Sequence, residues 1–237
     1  MGQQAHSDPL GLLREGAVEL LGRMPRSSNA TFLVQVTRGE DTARAIYKPA
    51  AGERPLSDFE PGLYRRERAA YLLSEHLGWG LVPPTVVRAE APLGTGSLQW
   101  FVDCDFREHY FTLHAEAPET HPCLAQIAVF DLVANNTDRK SGHVLRGDDG
   151  RVWGIDHGLC FSAVFKLRTV IWDFAGDPVP EVLLEDIAPL AVDVPEAIAG
   201  LLDPAEVPAL QRRVRRLLHE RVLPHDPTGM RYPWPLV

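Results

Sequence analysis

Two aspartates are the best candidates for chemistry in this chain. Asp138 sits in the polar run Asn135-Asn136-Thr137-Asp138-Arg139-Lys140, and Asp156 ends the apolar run Val152-Trp153-Gly154-Ile155 just before His157-Gly158. A polar cluster directly after an apolar helical stretch is costly to bury without a purpose. Its structural use would be a helix C-cap followed by a turn. A catalytic loop, a short hairpin and a strand that delivers a carboxylate into a glycine turn form the layout of a phosphotransferase. One Asp takes the proton from the attacking hydroxyl, and the second holds the metal that bridges the ATP phosphates. Lys140, two residues past Asp138, is placed to reach the transferring phosphoryl group.

That chemistry needs further parts upstream. A cation must meet the ATP phosphates, and Lys48 ends the strand-like run Ala45-Ile46-Tyr47-Lys48. Lysine is scarce here, at Lys48, Lys140 and Lys166 alone. Arginine has taken the generic positive charges, and a compact ammonium and a planar guanidinium are not interchangeable at a phosphate site. A carboxylate from a neighbouring helix must hold such a lysine, and Glu67 is the candidate, although a surface acid near a helix start has the same appearance. Backbone donors for the phosphates are expected from the turn Ser27-Ser28-Asn29, since neither G-x-G-x-x-G nor G-x-x-x-x-G-K-[ST] occurs in the chain.

The elements that must position these residues can be read from periodicity. Asp8-Pro9 predicts a helix start, with Leu10, Leu13, Ala17, Leu20 and Leu21 as its stripe and Gly22 as its end. Thr31 to Val36 and Ala43 to Lys48 predict a hairpin across Arg38 to Asp41. Leu63 to Leu77 predicts a helix, Val82 to Val87 an extended link, Ser97 to Asp103 a strand, and Pro122 to Ala134 a buried helix. Beyond Phe161 the pattern is helical, broken by prolines. Strands before about residue 103 and helices after it predict an α+β fold of two lobes with a cleft between them. The N-lobe is then 1–102, carrying the phosphate turn, lysine strand, glutamate helix and hinge strand. The C-lobe is 103–237, carrying the catalytic and metal loops.

Charge and composition narrow the partners. The net charge is −8, and from Gly176 to Val207 there are eight acids and no Lys or Arg. This argues against broad binding to nucleic acid or to an anionic membrane. Arg212, Arg213, Arg215 and Arg216 are expected on a solvated helix face, pairing with the acidic segment. No apolar run approaches the ~18 residues of a membrane span. The first residues lack the basic and apolar regions of a signal peptide. Cys104, Cys123 and Cys160 form no C-x-x-C, which suits free thiols in a reducing cytosol. A cytoplasmic protein without stable membrane association is the expectation.

Taken in order, these segments resemble the phosphatidylinositol 3-/4-kinase superfamily, most of all the type II phosphatidylinositol 4-kinases and their bacterial relatives. Ser27 to Phe32 is similar to the family's serine-rich phosphate loop, Ile46-Tyr47-Lys48-Pro49 to its lysine strand, and Arg66 to Leu73 to its glutamate helix. Gly96 to Val102 is similar to the hinge that hydrogen-bonds adenine, which implies roles for Phe101 and Val102. Asn136 to Arg139 and Ile155 to Leu159 are similar to the catalytic and metal loops. The resemblance runs from about residue 22 to 165 and implies a two-lobed protein-kinase-like fold, ATP and a divalent metal, Mg or Mn. It also has departures. The family's Asn, five residues after the catalytic Asp, is His143 here, and Lys140 stands where the family has His. Imidazole suits Zn or Mn better than Mg. A ligand His143 must be neutral, so activity is expected to fall below pH ~6.5. The lipid kinases' cysteine-rich segment is absent.

The leading expectation is an ATP-dependent phosphotransferase acting on a hydroxyl of a soluble small molecule or protein. A nucleotide-binding regulator whose catalysis is lost at His143 is one alternative. A metal hydrolase using Asp138, His143, Asp156 and His157 is another, although that reading gives Lys48 and Glu67 no role.

Overall fold

The computed structural model describes residues 8–25, 27, 29–57 and 59–237. A helix, α1 (Pro9–Glu15), is capped by Asp8, whose carboxylate accepts from the Gly11 N–H at 2.8 Å. It is followed by β1 (Ala17–Arg23), β2 (Phe32–Arg38), β3 (Asp41–Pro49), α2 (Leu63–His76), β4 (Thr85–Arg88) and β5 (Gly96–Trp100). These strands form one antiparallel sheet in the order β1-β2-β3-β5-β4. Next come β6 (Cys104–His109), α3 (Tyr110–Glu116), α4 (His121–Ala134), β7 (Val144–Gly147) and β8 (Val152–Gly154). Those three strands make a second sheet in the order β6-β7-β8. Last are α5 (Glu181–Ile187), α6 (Glu196–Ala199) and α7 (Glu206–Glu220).

One sequence expectation fails at the start of the chain. The helix ends at Glu15, and Gly16 is extended (φ −64°, ψ 148°). Ala17 to Arg23 then pairs with β2 instead of continuing the stripe. Ladder bonds to β2 outweigh helix propensity there. Leu20 and Leu21, counted as a buried stripe, are 38% and 48% exposed on this edge strand. A second expectation also fails: residues 162–180 contain no helix, and the helices resume at Glu181.

Two cores hold the molecule together. The smaller packs Leu12, Leu13, Val34, Val36, Tyr47 and Leu98 between α1 and the inner face of the first sheet. The buried positions of β3 alternate (Ala43, Ala45, Tyr47), as a half-buried strand requires, so Lys48 falls on the opposite face. The larger core joins α4 with α7 and also takes in Ala69, Ala70, Tyr71 and Leu73 of α2. The helix carrying Glu67 therefore packs against β4 and β5 on one side and into the helical core on the other.

Candidate active site

Lys48 leaves the end of β3 and meets two carboxylates. Its Nζ donates to Glu67 Oε1 and, at 2.8 Å, to Asp156 Oδ1. Glu67 is 2% exposed, and its second oxygen accepts the His157 backbone N–H at 3.0 Å. Gly158 follows, where a Cβ would lie 3.3 Å from Glu67 Oε1. The glycine thus lets the metal loop run against the glutamate. Asp156 differs in being 48% exposed, with its backbone in the left-handed region at φ 58°. Such a conformation is uncommon outside glycine and is favoured at sites where the surroundings over-determine it. Burial opposes the Lys48 charge, but Asp156 and Glu67 outweigh it and hold the ammonium above the ordinary lysine value. Desolvation likewise opposes the Asp156 anion, but Lys48 holds the carboxyl well below the usual range.

Across the cleft, Asp138 Oδ2 lies 3.0 Å from Lys140 Nζ. Burial raises the Asp138 carboxyl above its ordinary value, with Lys140 partly offsetting the effect. A raised carboxylate is a stronger base, which suits proton abstraction from a hydroxyl. His143 is turned by its own backbone neighbourhood. Its Nδ1 lies 2.9 Å from the Asp138 carbonyl, which can only accept, and 3.4 Å from the Lys140 N–H. The shorter contact assigns the proton to Nδ1. Nε2 then carries the lone pair, 3.4 Å from Asp156 Oδ2. Metal-ligating imidazoles are commonly fixed by such a bond from the other ring nitrogen to a backbone carbonyl. Burial pushes the ring down to about 4, so it is neutral at ordinary pH, and the acid limb expected near 6.5 is corrected to that lower value.

Ser27, Asn29, Lys48, Glu67, Asp138 and Asp156 line one cavity of about 50 Å³. The Ser27 hydroxyl bonds the Thr31 hydroxyl at 2.8 Å, and Asn29 Oδ1 accepts the Arg54 N–H at 2.9 Å. Ser28 lies outside the described residues. A second cavity of about 140 Å³ lies between the hinge and the β7–β8 hairpin, lined by Pro83, Phe101, Val102 and Trp153 among others. The Phe101 N–H donates to Arg44 O at 3.2 Å, and among the described residues no such backbone bond engages the Val102 N–H.

The residue pair that organises these loops went unassigned in the sequence reading. Arg139 is fully buried and donates through Nε to Asp131 of α4 at 2.9 Å. Its Nη1 reaches His143 O at 3.0 Å and Ile155 O at 2.8 Å, and its Nη2 reaches His157 Nε2 at 2.7 Å. Asn136 completes the set, donating to Asp131 Oδ1 at 3.0 Å and accepting the Asp138 N–H at 2.9 Å. One guanidinium thus ties the Asp138 loop to the Asp156 loop. His157 Nε2 is engaged in this network, while its Nδ1 is buried with no hydrogen-bond partner among the described residues. Among the described residues no cluster of three or more His, Cys, Asp or Glu could hold a metal ion. The four-residue hydrolase centre expected as an alternative is therefore not assembled.

Comparison with known proteins bears on the fold. The chain is 41% identical to Protein Rv2133c of Mycobacterium tuberculosis, over 96% of its own length and 95% of that protein's. It belongs to that protein's family. No family model matches the sequence. Among solved structures, it matches the Golgi casein kinase with Mn/ADP bound at a TM-score of 0.53 and 15% identity, covering 92% of this chain and 79% of that one. Hydra Fam20 with sugar matches at a TM-score of 0.52 and 15% identity, covering 92% and 91%. The fold is that of an atypical protein kinase, mixed α and β, with a sheet-rich N-terminal lobe and a helical C-terminal lobe. Among the described residues no helix is long and apolar enough to cross a membrane.

Proposed function

We propose that the protein is an ATP-dependent phosphotransferase with a hydroxyl acceptor and a divalent metal cofactor. The observation that carries this reading is Lys48, which bridges a buried glutamate on α2 and a half-exposed aspartate on the loop after β8. In this reading Lys48 binds the ATP phosphates, Glu67 orients it, and the turn at Ser27, Ser28 and Asn29 covers the phosphates. Val102, with Phe101 beside it, faces the adenine. Asp138 takes the acceptor proton and Lys140 stabilises the transferring group. The lobes divide at 102/103. The phosphatidylinositol-kinase likeness supplies the motif assignments, and the lineage it implies is part of the proposal.

The donor set fits a divalent ion. Asp156 offers an exposed carboxylate oxygen, and His143 offers the Nε2 lone pair beside it. Mg and Mn sites in phosphoryl-transfer enzymes typically take one or two protein ligands and complete their shell with phosphates and water. An ion there would neutralise the β- and γ-phosphates. Imidazole in the set favours Mn over Mg. The structural neighbour crystallised with Mn/ADP is consistent with that choice. Three free thiols support a reducing, cytosolic compartment.

Labelled ATP with Mn and a panel of hydroxyl acceptors, including the protein itself, tests the reading. The Asp138→Asn variant should bind ATP as the wild type does and lose turnover by about 10²-fold or more. Turnover at the wild-type rate would remove Asp138 from catalysis. Tight ATP binding with no turnover of any acceptor under any metal would favour the regulator.

A further inference from the structure

Helix α7 carries the arginines expected on a solvated face, and Arg212, Arg215 and Arg216 are exposed there while Arg213 is not. Arg213 is only 8% exposed, on the same face as Leu210, Val214 and Leu217. Its Nε donates to Val133 O at 2.9 Å and its Nη1 to Ser162 O at 3.4 Å. Its Nη2 is buried with no hydrogen-bond partner among the described residues. Burial lowers its pKa to about 10, with Cys160 and Glu206 only partly offsetting the effect. Among the described residues no ion pair joins Arg212, Arg213, Arg215 or Arg216 to the acidic segment, although Arg215 donates to Ala191 O at 2.7 Å. Arg221 meets Glu181 instead, and Arg66 meets Glu206 at 2.6 Å.

Arg213 lines a cavity of about 330 Å³ on the side of the helical lobe, within the range of pockets that hold small organic ligands. Arg212, Arg216 and Arg231 also line it, against a single acid, Glu220. Glu220 is held by Arg216 at 2.8 Å. Arg231 sits 5.3 Å above the Phe165 ring and 3.9 Å from Asp226. Arg212 has no ion-pair partner among the described residues. Leu132, Phe165 and Leu217 supply apolar wall. Four guanidinium groups around one carboxylate, in a chain of net charge −8, form a focused positive site.

We propose that this cavity is a binding site for a small amphipathic anion, a phosphate monoester on a compact apolar group, separate from the nucleotide cleft. The arginines supply forked donors to the phosphate oxygens. The apolar wall takes the organic part. The two carbonyls that Arg213 holds belong to the last turn of α4, which leads into the catalytic loop, and to the segment leaving the metal loop. The site therefore abuts both loops from behind.

Calorimetric titration with phenyl phosphate tests the proposal on the full chain with the nucleotide cleft saturated by ADP and Mn. Binding should weaken about tenfold or more in Arg212→Glu with Arg216→Glu, as expected when charged donors are lost. Both side chains are exposed, so their replacement leaves the core intact. Arg107→Glu, which reverses a charge that is 90% exposed outside this cavity, should leave affinity unchanged. Inorganic phosphate should bind more weakly than phenyl phosphate. No binding to the wild type, or equal weakening in the Arg107 control, overturns the site. Equal affinity for the two probes overturns its apolar half. Phosphatidate vesicles separate the sources. Pelleting that Arg212→Glu abolishes places the phosphate on a lipid. Phenyl phosphate binding without pelleting places it on a soluble compound, and either result supports the cavity as the site.

Discussion

Arg139 and Lys48 are both cations held by carboxylates within the same stretch of cleft, and they are built in opposite ways. Arg139 and its partner Asp131 are fully buried, and each polar atom of the guanidinium is spent on protein oxygen or nitrogen. Lys48 has one buried partner, Glu67, and one partner, Asp156, that is 48% exposed with its backbone at positive φ. The first arrangement is closed, with no donor left for a ligand. The second is open on one side, because the Asp156 carboxylate lines the cavity and is 48% exposed. Charge and burial alone do not separate scaffold from chemistry. Unspent capacity beside a cavity does.

The sharpest way to break this contrast is to remove each cation in turn. Arg139→Met leaves Asp131 as an uncompensated buried charge and strands two backbone carbonyls, so it should cost about 3–5 kcal/mol of stability. Lys48→Met should cost far less, because Glu67 can take up a proton and keep its bond from the His157 N–H. It should abolish nucleotide binding all the same. Urea unfolding of the two variants decides the point, and equal losses would put both clusters in the scaffold.

Within the open cluster, Asp156→Asn should weaken metal-assisted ATP binding by about tenfold or more while the melting temperature stays close to that of the wild type. Calorimetry with and without Mn measures this. Metal dependence that survives the change would move the ion elsewhere.

The smallest effect is expected at His143. Its folded pKa, about 4, lies below the unfolded value near 6.5. The neutral ring therefore contributes stability that is complete above pH 6.5 and declines as pH falls towards 4. His143→Asn should flatten that decline and shift the metal ranking from Mn towards Mg. Activity across Mg, Mn and Zn, with unfolding at pH 4.5 and 7, checks both halves. Identical metal rankings would leave His143 as a loop cap.

Much of this site could be read from residue type and order. Lys48 stood out because lysine is scarce, Asp156 because an apolar run delivers it into a glycine turn, and Asp138 because a polar run follows a buried helix. The Asp131–Arg139 pair could not be read so easily. Asp131 lies inside an apolar helix, where one acid gives no periodic signal, and its partner comes eight residues later around a left-handed Asn135. Arg213 was legible and was misread, since positions 210, 213, 214 and 217 already share a helical face. β1 was misread for the opposite reason. Its leucines suggested a buried stripe, but edge pairing to β2 decided the conformation and left them half exposed.

The Lys48–Asp156 contact joins the last residues of β3 to the loop after β8, across the cleft proposed to take ATP. Without ligand it acts as a latch. An incoming nucleotide has to trade this protein–protein contact for lysine–phosphate and aspartate–metal contacts, so the closed resting form taxes affinity in proportion to its population. The bare nucleotide gains only the first of these contacts and meets an Asp156 anion with no counter-charge. The metal complex of the nucleotide gains both. Under the proposed function the latch would select the metal-loaded nucleotide at the door, before any proton moves.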